Sequence, residues 1–344
     1  MMQPHVGSSL RNLCLSAAAG IALLPAAASG FDTGRADVEA FIGELSATHD
    51  FDADYVRSVL TGLRSQQSIL DAISRPAERV RPWHEYREIF LTPARISGGV
   101  RFKQEHAERL ARISGKTGVP PEVITAIIGV ETFYGTRTGT HRVVEALATL
   151  AFDYPPRSAF FRSELMHLFQ LSREENLPLT ELKGSYAGAM GAPQFIASSY
   201  RAYAVDGDGD GRRDLFSNWD DIIASVANYF VAHRWQPGGP VAAPATLGNP
   251  AARPEGPNGL SMEETVGGLK AREVRFSTTL DSKAPAQLIR LDGKAGDEYW
   301  VGFHNFYVIT RYNRSVMYAL AVAELAEAIA AEAAASRLAR STTE

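Results

Sequence analysis

The stretch from Glu122 to Thr132 constrains the fold more than any other part of the chain. It follows Pro120 and Pro121, and proline suits the first position of a helix. Val123, Ile124, Ala126, Ile127, Ile128 and Val130 then put apolar side chains on every face. A helix that is apolar all round is stable only when other elements enclose it. The chain must therefore build a helical body around this segment, and the flanking sequence supplies one. Val38, Phe41, Ile42 and Leu45 recur at the spacing of one helix face behind Asp37, which reads as the cap. Tyr55, Val56, Val59, Leu60 and Leu63 repeat that pattern behind Asp52. A long helical segment is expected from Gly98 to Ser114, and further helices over Val143 to Leu150, Arg157 to Ser172 and Trp219 to His233.

The pattern changes after Trp235. Pro237 to Asn258 holds six prolines and four glycines and reads as turns and loop. Short β-like runs follow at Val274 to Phe276, Gln287 to Leu291 and Tyr299 to Phe303. From Val316 to Ala335 an alanine-rich helix returns, and the tail from Ser336 to Glu344 is expected to fray. No internal repeat is present, which excludes solenoids and propellers. The fold class is therefore α+β, mainly α, with a small β-containing insert before a closing helix.

Arg11, the apolar run from Leu13 to Ala28 and the small residues Ala26, Ala27 and Ala28 read as an export signal. The run is broken by Pro25 and is too short to span a bilayer. Cys14, the only cysteine, lies at the start of that run rather than at its end, where a lipid-bearing cysteine would stand. Cleavage would leave no disulfide, so stability must come from the core or a metal. The formal charge is −4, from 35 Lys+Arg against 39 Asp+Glu. That gives no basic excess of the kind nucleic-acid binders carry, and no nucleic-acid partner is expected.

Glu131 ends the apolar helix just before Gly135 and Gly139. Desolvation and the partial negative charge of a helix C-terminus both favour a protonated carboxyl there. A neutral carboxylic acid can donate its proton to a leaving oxygen. The local alternative is a structural glutamate paired with an arginine. Further on, Gly188, Ala189, Gly191 and Ala192 surround Met190 and allow close backbone approach, either to a ligand or within a tight core. Ser185 and Gln194 flank them as neutral polar groups beside aromatic surface, which suits sugar hydroxyls and N-acetyl groups.

A third feature is acidic. Asp206, Asp208 and Asp210 occupy positions one, three and five of a loop with Gly211 at six, as at the start of an EF-hand. Arg212 would offer its backbone carbonyl at position seven. The twelfth position is Ser217, so a standard loop fails. A solvated acidic turn is the plain alternative, but three close carboxylates repel one another without a cation. Structural calcium is the favoured expectation.

The strings GVETFYG, EALATLAFDYP, KGSYAGAMGAPQF, SSYRAYAVD, SVANYF and NFYVITRYNRS, spread from about Tyr86 to Ala326, resemble the membrane-bound lytic murein transglycosylase B family. These are the family 3 lytic transglycosylases, glycoside hydrolase family 103. The resemblance implies a lysozyme-like core that cuts peptidoglycan glycan strands between N-acetylmuramic acid and N-acetylglucosamine, leaving a 1,6-anhydro end. It implies that Glu131 is the single catalytic acid/base. It likewise assigns substrate contacts to Ser185, Gln194, Phe195, Tyr229, Tyr312, Asn313, Tyr318 and, by a weaker match, Tyr86. For calcium it implies a closing ligand at Asp221, with Asp220 the alternative. Two departures stand out: Pro193 before Gln194, and Ile196-Ala197-Ser198 without the usual proline. Asp153 and Glu145, the acids nearest in sequence, read as cap and surface residues.

The expected organisation is a signal peptide (1–29), an N-terminal helical domain (30–120), a catalytic core with the calcium loop (121–236), a β-containing insert (237–303) and a return to the core (304–344). With the resemblance, the exported protein is expected to be soluble, periplasmic and monomeric. Its expected partner is peptidoglycan, with cell-wall synthesis proteins as further candidates and no cofactor for the chemistry. Competing functions are a hydrolytic muramidase, which needs a second carboxylate across the cleft, and a non-catalytic wall-binding module.

Overall fold

The computed structural model describes residues 30–74 and 81–341; the expected signal peptide and its Cys14 lie outside them. Seven helices come first: α1 (Ala36–His49), α2 (Ala53–Thr61), α3 (Gln67–Ile73), α4 (Trp83–Phe90), α5 (Pro93–Glu105), α6 (Ala107–Thr117) and α7 (Pro121–Thr132). Strand β1 (His141–Arg142), α8 (Val143–Asp153), α9 (Ser158–Glu174), β2 (Lys183–Gly184), α10 (Ala197–Tyr203) and α11 (Trp219–Ala232) follow. The insert contains β3 (Ala242–Leu247), β4 (Glu264–Thr265), α12 (Val266–Ala271), β5 (Val274–Arg275), β6 (Pro285–Gly293) and β7 (Gly296–Gly302). The chain closes with α13 (His304–Tyr312) and α14 (Val316–Ser341). This is the mainly helical α+β class expected, and no helix among the described residues is long and apolar enough to cross a membrane.

As its composition demands, α7 is enclosed: residues Val123 to Val130 are all buried, and α5, α11 and α14 pack against it. Small residues set the spacing. A Cβ on Gly129 of α7 would lie 2.7 Å from the Tyr134 hydroxyl, and one on Gly99 of α5 would lie 2.4 Å from Ile329 of α14. Neither position has room for a side chain.

Several expectations need correction. Arg35, not Asp37, stands at the cap of α1. Asp37 sits in the first turn and accepts from the Arg35 guanidinium (3.1 and 2.9 Å). Arg35 is drawn there because it also donates to Asp153 and the Phe152 carbonyl at the end of α8 (2.7 and 2.6 Å). Asp52 does cap α2, accepting from Asp54 N (2.8 Å). The segment from Gly98 to Ser114 is two helices, broken at buried His106, whose ring packs between Phe102 and Trp219 at 4.4 and 4.9 Å. Glu145 is buried rather than on the surface, and it accepts from Arg64 N (3.1 Å) and the Arg142 side chain (2.8 Å). The closing helix runs on past Ala335 to Ser341.

The largest correction lies in the proline-rich stretch, which holds β3, an interior strand of an antiparallel five-stranded sheet of order β4-β6-β7-β3-β5. Pro244 is tolerated there because β5 reaches only Thr246 and Leu247, so at Pro244 the strand is paired with β7 alone. The sheet has two apolar faces. Leu288 joins a small core with Val266, Leu269 and Val301, while the next residue, Ile289, joins the main helical core.

Candidate active site

At the C-terminal end of α7 the backbone turns through three successive residues with positive φ: Phe133 (50°), Tyr134 (61°) and Gly135 (81°). Two of them are not glycine and strain the chain by about 1 kcal/mol or more each, so surrounding contacts must enforce the turn. Tyr134 donates its hydroxyl to the Arg95 carbonyl (2.6 Å). Arg95 Nε donates to the Gly129 carbonyl (3.1 Å). Buried Thr132 donates to the Ala192 carbonyl (2.8 Å) and accepts from Gly135 N (3.0 Å). The turn therefore fixes Glu131 in place, half-buried, where helix meets cleft.

Glu131 Oε1 accepts a hydrogen bond of 2.5 Å from the Tyr318 hydroxyl. Tyr318 lies in the first turn of α14 and is buried. Burial pushes its phenol well above the usual 10, and the charges of Glu131, Tyr312 and Tyr86 push the same way. Tyr318 thus stays an O–H donor at any working pH. Tyr312 behaves alike, raised first by burial and then by Glu131 and Tyr229. These two tyrosines come from opposite sides of the α13–α14 link, which brings Asn313, the residue at the end of α13, between them in the chain.

An aromatic wall continues from Tyr312. Its ring centroid lies 4.7 Å from Tyr229 and 5.8 Å from Phe195, and Phe195 lies 5.6 Å from Tyr229. Each hydroxyl is anchored: Tyr229 donates to the Arg311 carbonyl (2.6 Å) and Tyr312 to the Pro193 carbonyl (2.7 Å). The Pro193 departure is therefore compatible with the wall, since the contact is made by the backbone. Rings packed at tilted angles beside a carboxyl group form a surface suited to sugar faces.

The segment carrying Ser185 and Gln194 folds back on itself through Met190, which bridges Gly184 and Phe195. Ser185 Oγ accepts from Ala187 N (3.2 Å) and Ala189 N (3.0 Å), leaving its proton as the group it can offer outward. Gln194 has φ 52° and donates its amide to the Thr138 and Gly191 carbonyls (3.1 and 2.9 Å). Gln194 thereby ties the loop after Glu131 to the Gly191 turn. Tyr86 is buried on α4, and its influence on the Tyr318 phenol brings it to the same site. Arg95, Thr132 and Tyr134 are the residues that sequence reasoning missed. Thr132 and Tyr134 lie within the recognised GVETFYG string, whereas Arg95 carries no motif.

In the acidic loop the carboxylates of Asp206, Asp208 and Asp210 offer oxygens within 4.8 Å of one another. Asp206 accepts from Gly209 N (2.6 Å) and Gly211 N (2.8 Å), which holds its pKa below the usual carboxylate value. Asp221 is not in that trio. It is fully buried and accepts from Gly207 N and Asp214 N, both at 2.7 Å, bracing the two ends of the loop. Burial raises its pKa, and the charges of Asp208 and Asp206 add to the rise. Asp220 is committed to Arg109 (2.7 Å) and Arg112. Arg212 donates its N–H to Asp210 (2.8 Å), which leaves its carbonyl free of that bond. The trio is a set of hard oxygen donors of the kind calcium takes.

Comparison with known proteins shows the family to which the chain belongs. Residues 33–327 match the transglycosylase SLT domain family. The chain is 40% identical over 305 residues to membrane-bound lytic murein transglycosylase B of Escherichia coli (strain K12), covering 86% of this chain and 82% of that protein. It superposes on the catenated lytic transglycosylase SltB1 from Pseudomonas aeruginosa with a TM-score of 0.83 and 49% identity, over 87% of this chain and 99% of that one. It also superposes on the Escherichia coli lytic transglycosylase Slt35 in complex with calcium, with a TM-score of 0.80 and 39% identity, over 89% and 96% of the two chains.

Proposed function

The chain belongs to the transglycosylase SLT domain family and is a peptidoglycan lytic transglycosylase, and from that premise we propose that Glu131 carries both proton transfers of the reaction. Glu131 protonates the glycosidic oxygen between N-acetylmuramic acid and N-acetylglucosamine, and the C–O bond breaks. It then takes the proton from the C6 hydroxyl of the same muramic residue as that oxygen attacks the anomeric carbon. The ring closes as a 1,6-anhydro end, and no water is consumed. Ordinary glycosidases need a second carboxylate to activate water or attack the sugar. An internal hydroxyl removes that need.

One observation carries the reading: Glu131, at the strained end of a buried helix, receives the Tyr318 hydroxyl at 2.5 Å and acts on Tyr312, a member of the aromatic wall. Ser185, Gln194, Asn313 and Tyr86 complete the substrate contacts. Glu131→Gln keeps shape and hydrogen bonding but cannot deliver a proton. It is expected to retain binding to glycan strands and to lose at least ~10²–10⁴-fold in turnover. Near-normal turnover of the purified variant would reject Glu131 as the acid.

The trio of Asp206, Asp208 and Asp210, with the Arg212 carbonyl and with Asp221 bracing the loop, holds one calcium ion as a structural staple. Its support is the oxygen cluster and the calcium complex of Slt35. The protein acts in the periplasm after removal of residues 1–29. Residues 30–120, 121–236, 237–303 and 304–344 serve as helical support, catalytic core, sheet insert and return.

A further inference from the structure

A cavity of about 540 Å³ lies at the seam between the sheet insert and the start of α14, and its charge is not explained by the chemistry above. Arg81, Arg290 and Arg314 line it, against one carboxylate, Asp292. Among the described residues none of these three guanidinium groups has a hydrogen-bonded or ion-paired acid. Asp297, which feels the charge of Arg290, is bonded instead to Arg253 (2.8 Å). Asn258 exchanges two hydrogen bonds with the Arg290 backbone (2.7 and 2.9 Å), so the wall is fixed while the guanidinium is left to a ligand. Trp83 also lines the cavity; it is 1% exposed, and its indole N–H has no partner among the described residues. Unpaired guanidinium groups and a buried unpaired donor form a receptor for carboxylates.

This cavity shares two walls with the cleft. On α4, Trp83 faces the cavity while Tyr86, one turn on, acts on the Tyr318 phenol. In the link after α13, Arg314 lines the cavity between Asn313 and Tyr318, the partner of Glu131. A polymer that extends from the cleft along α4 or the α13–α14 link would reach this cavity. Murein is such a polymer, and it carries short peptides with free carboxylates on its muramic acid residues.

We propose that this cavity binds the peptide carboxylates of the murein strand whose glycan occupies the adjacent cleft. The proposal rests on the glycan reading of the cleft and extends it. It makes the enzyme one that discriminates peptide-bearing from bare strands through Arg81, Arg290 and Arg314.

The test compares KM for three substrates: peptide-bearing strands, strands stripped of peptide, and peptide-bearing strands whose carboxylates are converted to amides. Anhydro ends are counted by mass spectrometry. The unmodified enzyme is expected to show a KM roughly three- to tenfold lower on peptide-bearing strands than on the other two, and the advantage should shrink as salt is raised. In Arg290→Gln, Arg314→Gln and the double variant the ratio should fall toward one. An unmodified enzyme that ignores peptide or amidation overturns the proposal, as does a double variant that keeps the full ratio. Formation of anhydro ends from stripped strands tests the glycan reading separately, so the two ideas can fail independently. Amidation needs no variant, so a misfolded variant leaves the test decisive.

Discussion

Replacing Glu324 with glutamine should stabilise the fold above neutral pH and change it little near pH 5. Glu324 lies on α14 with its side chain only 9% exposed; Oε1 meets Arg87 at 2.7 Å, and buried Oε2 has no partner among the described residues. Burial pushes the carboxyl from its ordinary 4.5 up to about 7, against the pull of Arg87 and with Glu298 and Glu327 adding to the rise. At a pH below the ordinary value the group is protonated in both folded and unfolded chains and contributes nothing. Between that value and about 7 the unfolded chain gives up its proton while the folded chain keeps it, so stability falls by about 1.4 kcal/mol per pH unit. Above about 7 the loss is complete, at ~3 kcal/mol if no solvent reached the pair. Arg87 is 43% exposed, and solvent reaching the carboxylate from that side eases its desolvation, which reduces the expected loss to about 1–2 kcal/mol. Urea unfolding of parent and variant at about pH 5 and about pH 8 reads it directly. The stability difference between them should grow by about 1–2 kcal/mol in favour of glutamine at the higher pH. A difference that stays constant with pH would refute the reasoning. The pair matters to function because it joins α4, which carries Tyr86, to α14, which carries Tyr318.

Two further outcomes follow from the site. Tyr318→Phe removes the donor to Glu131 without changing ring volume, and a hydrogen bond to a charged group is worth about 1.5–3 kcal/mol. Steady-state kinetics should show kcat reduced roughly ten- to hundredfold with KM nearly unchanged. Chelator should lower the melting temperature, and calcium should restore it better than magnesium, which demands tight octahedral geometry. A ligand that binds only the native state adds ~2.7 kcal/mol at a hundredfold excess over Kd. The Asp208→Ala, Asp210→Ala double variant should no longer respond, as checked by melting curves on metal-free protein.

What the sequence made legible was periodicity and motif. The apolar run before Glu131 reads as a buried helix because it is long for a strand and opens on two prolines, one of them at the first helical position. Asp52 reads as a cap for the same local reason, and Asp37 misleads because a distant partner, Asp153, draws Arg35 to the helix start. Proline and glycine content hid β3, since only the sheet reveals that Pro244 is paired on one side. At the site, the motif strings carried Glu131, Ser185, Gln194 and the aromatic residues that the structure brings together, but not how they are held. Gln194 in a left-handed conformation, the Thr132 hydroxyl between Ala192 and Gly135, and Arg95 under Gly129 all depend on contacts between segments far apart in sequence. Asp221 likewise carries the acidity of a ligand, yet its position gives it two loop N–H groups to hold.

The mass of the cut ends tests the central claim most directly. Purified peptidoglycan digested by this enzyme should yield muropeptides that all end in 1,6-anhydromuramic acid, one water lighter than reducing ends, with none forming when Glu131 is glutamine. Reducing ends as the main product of the unmodified enzyme would mean that water attacks the anomeric carbon, and a single carboxyl moving one proton out and one back would be the wrong mechanism.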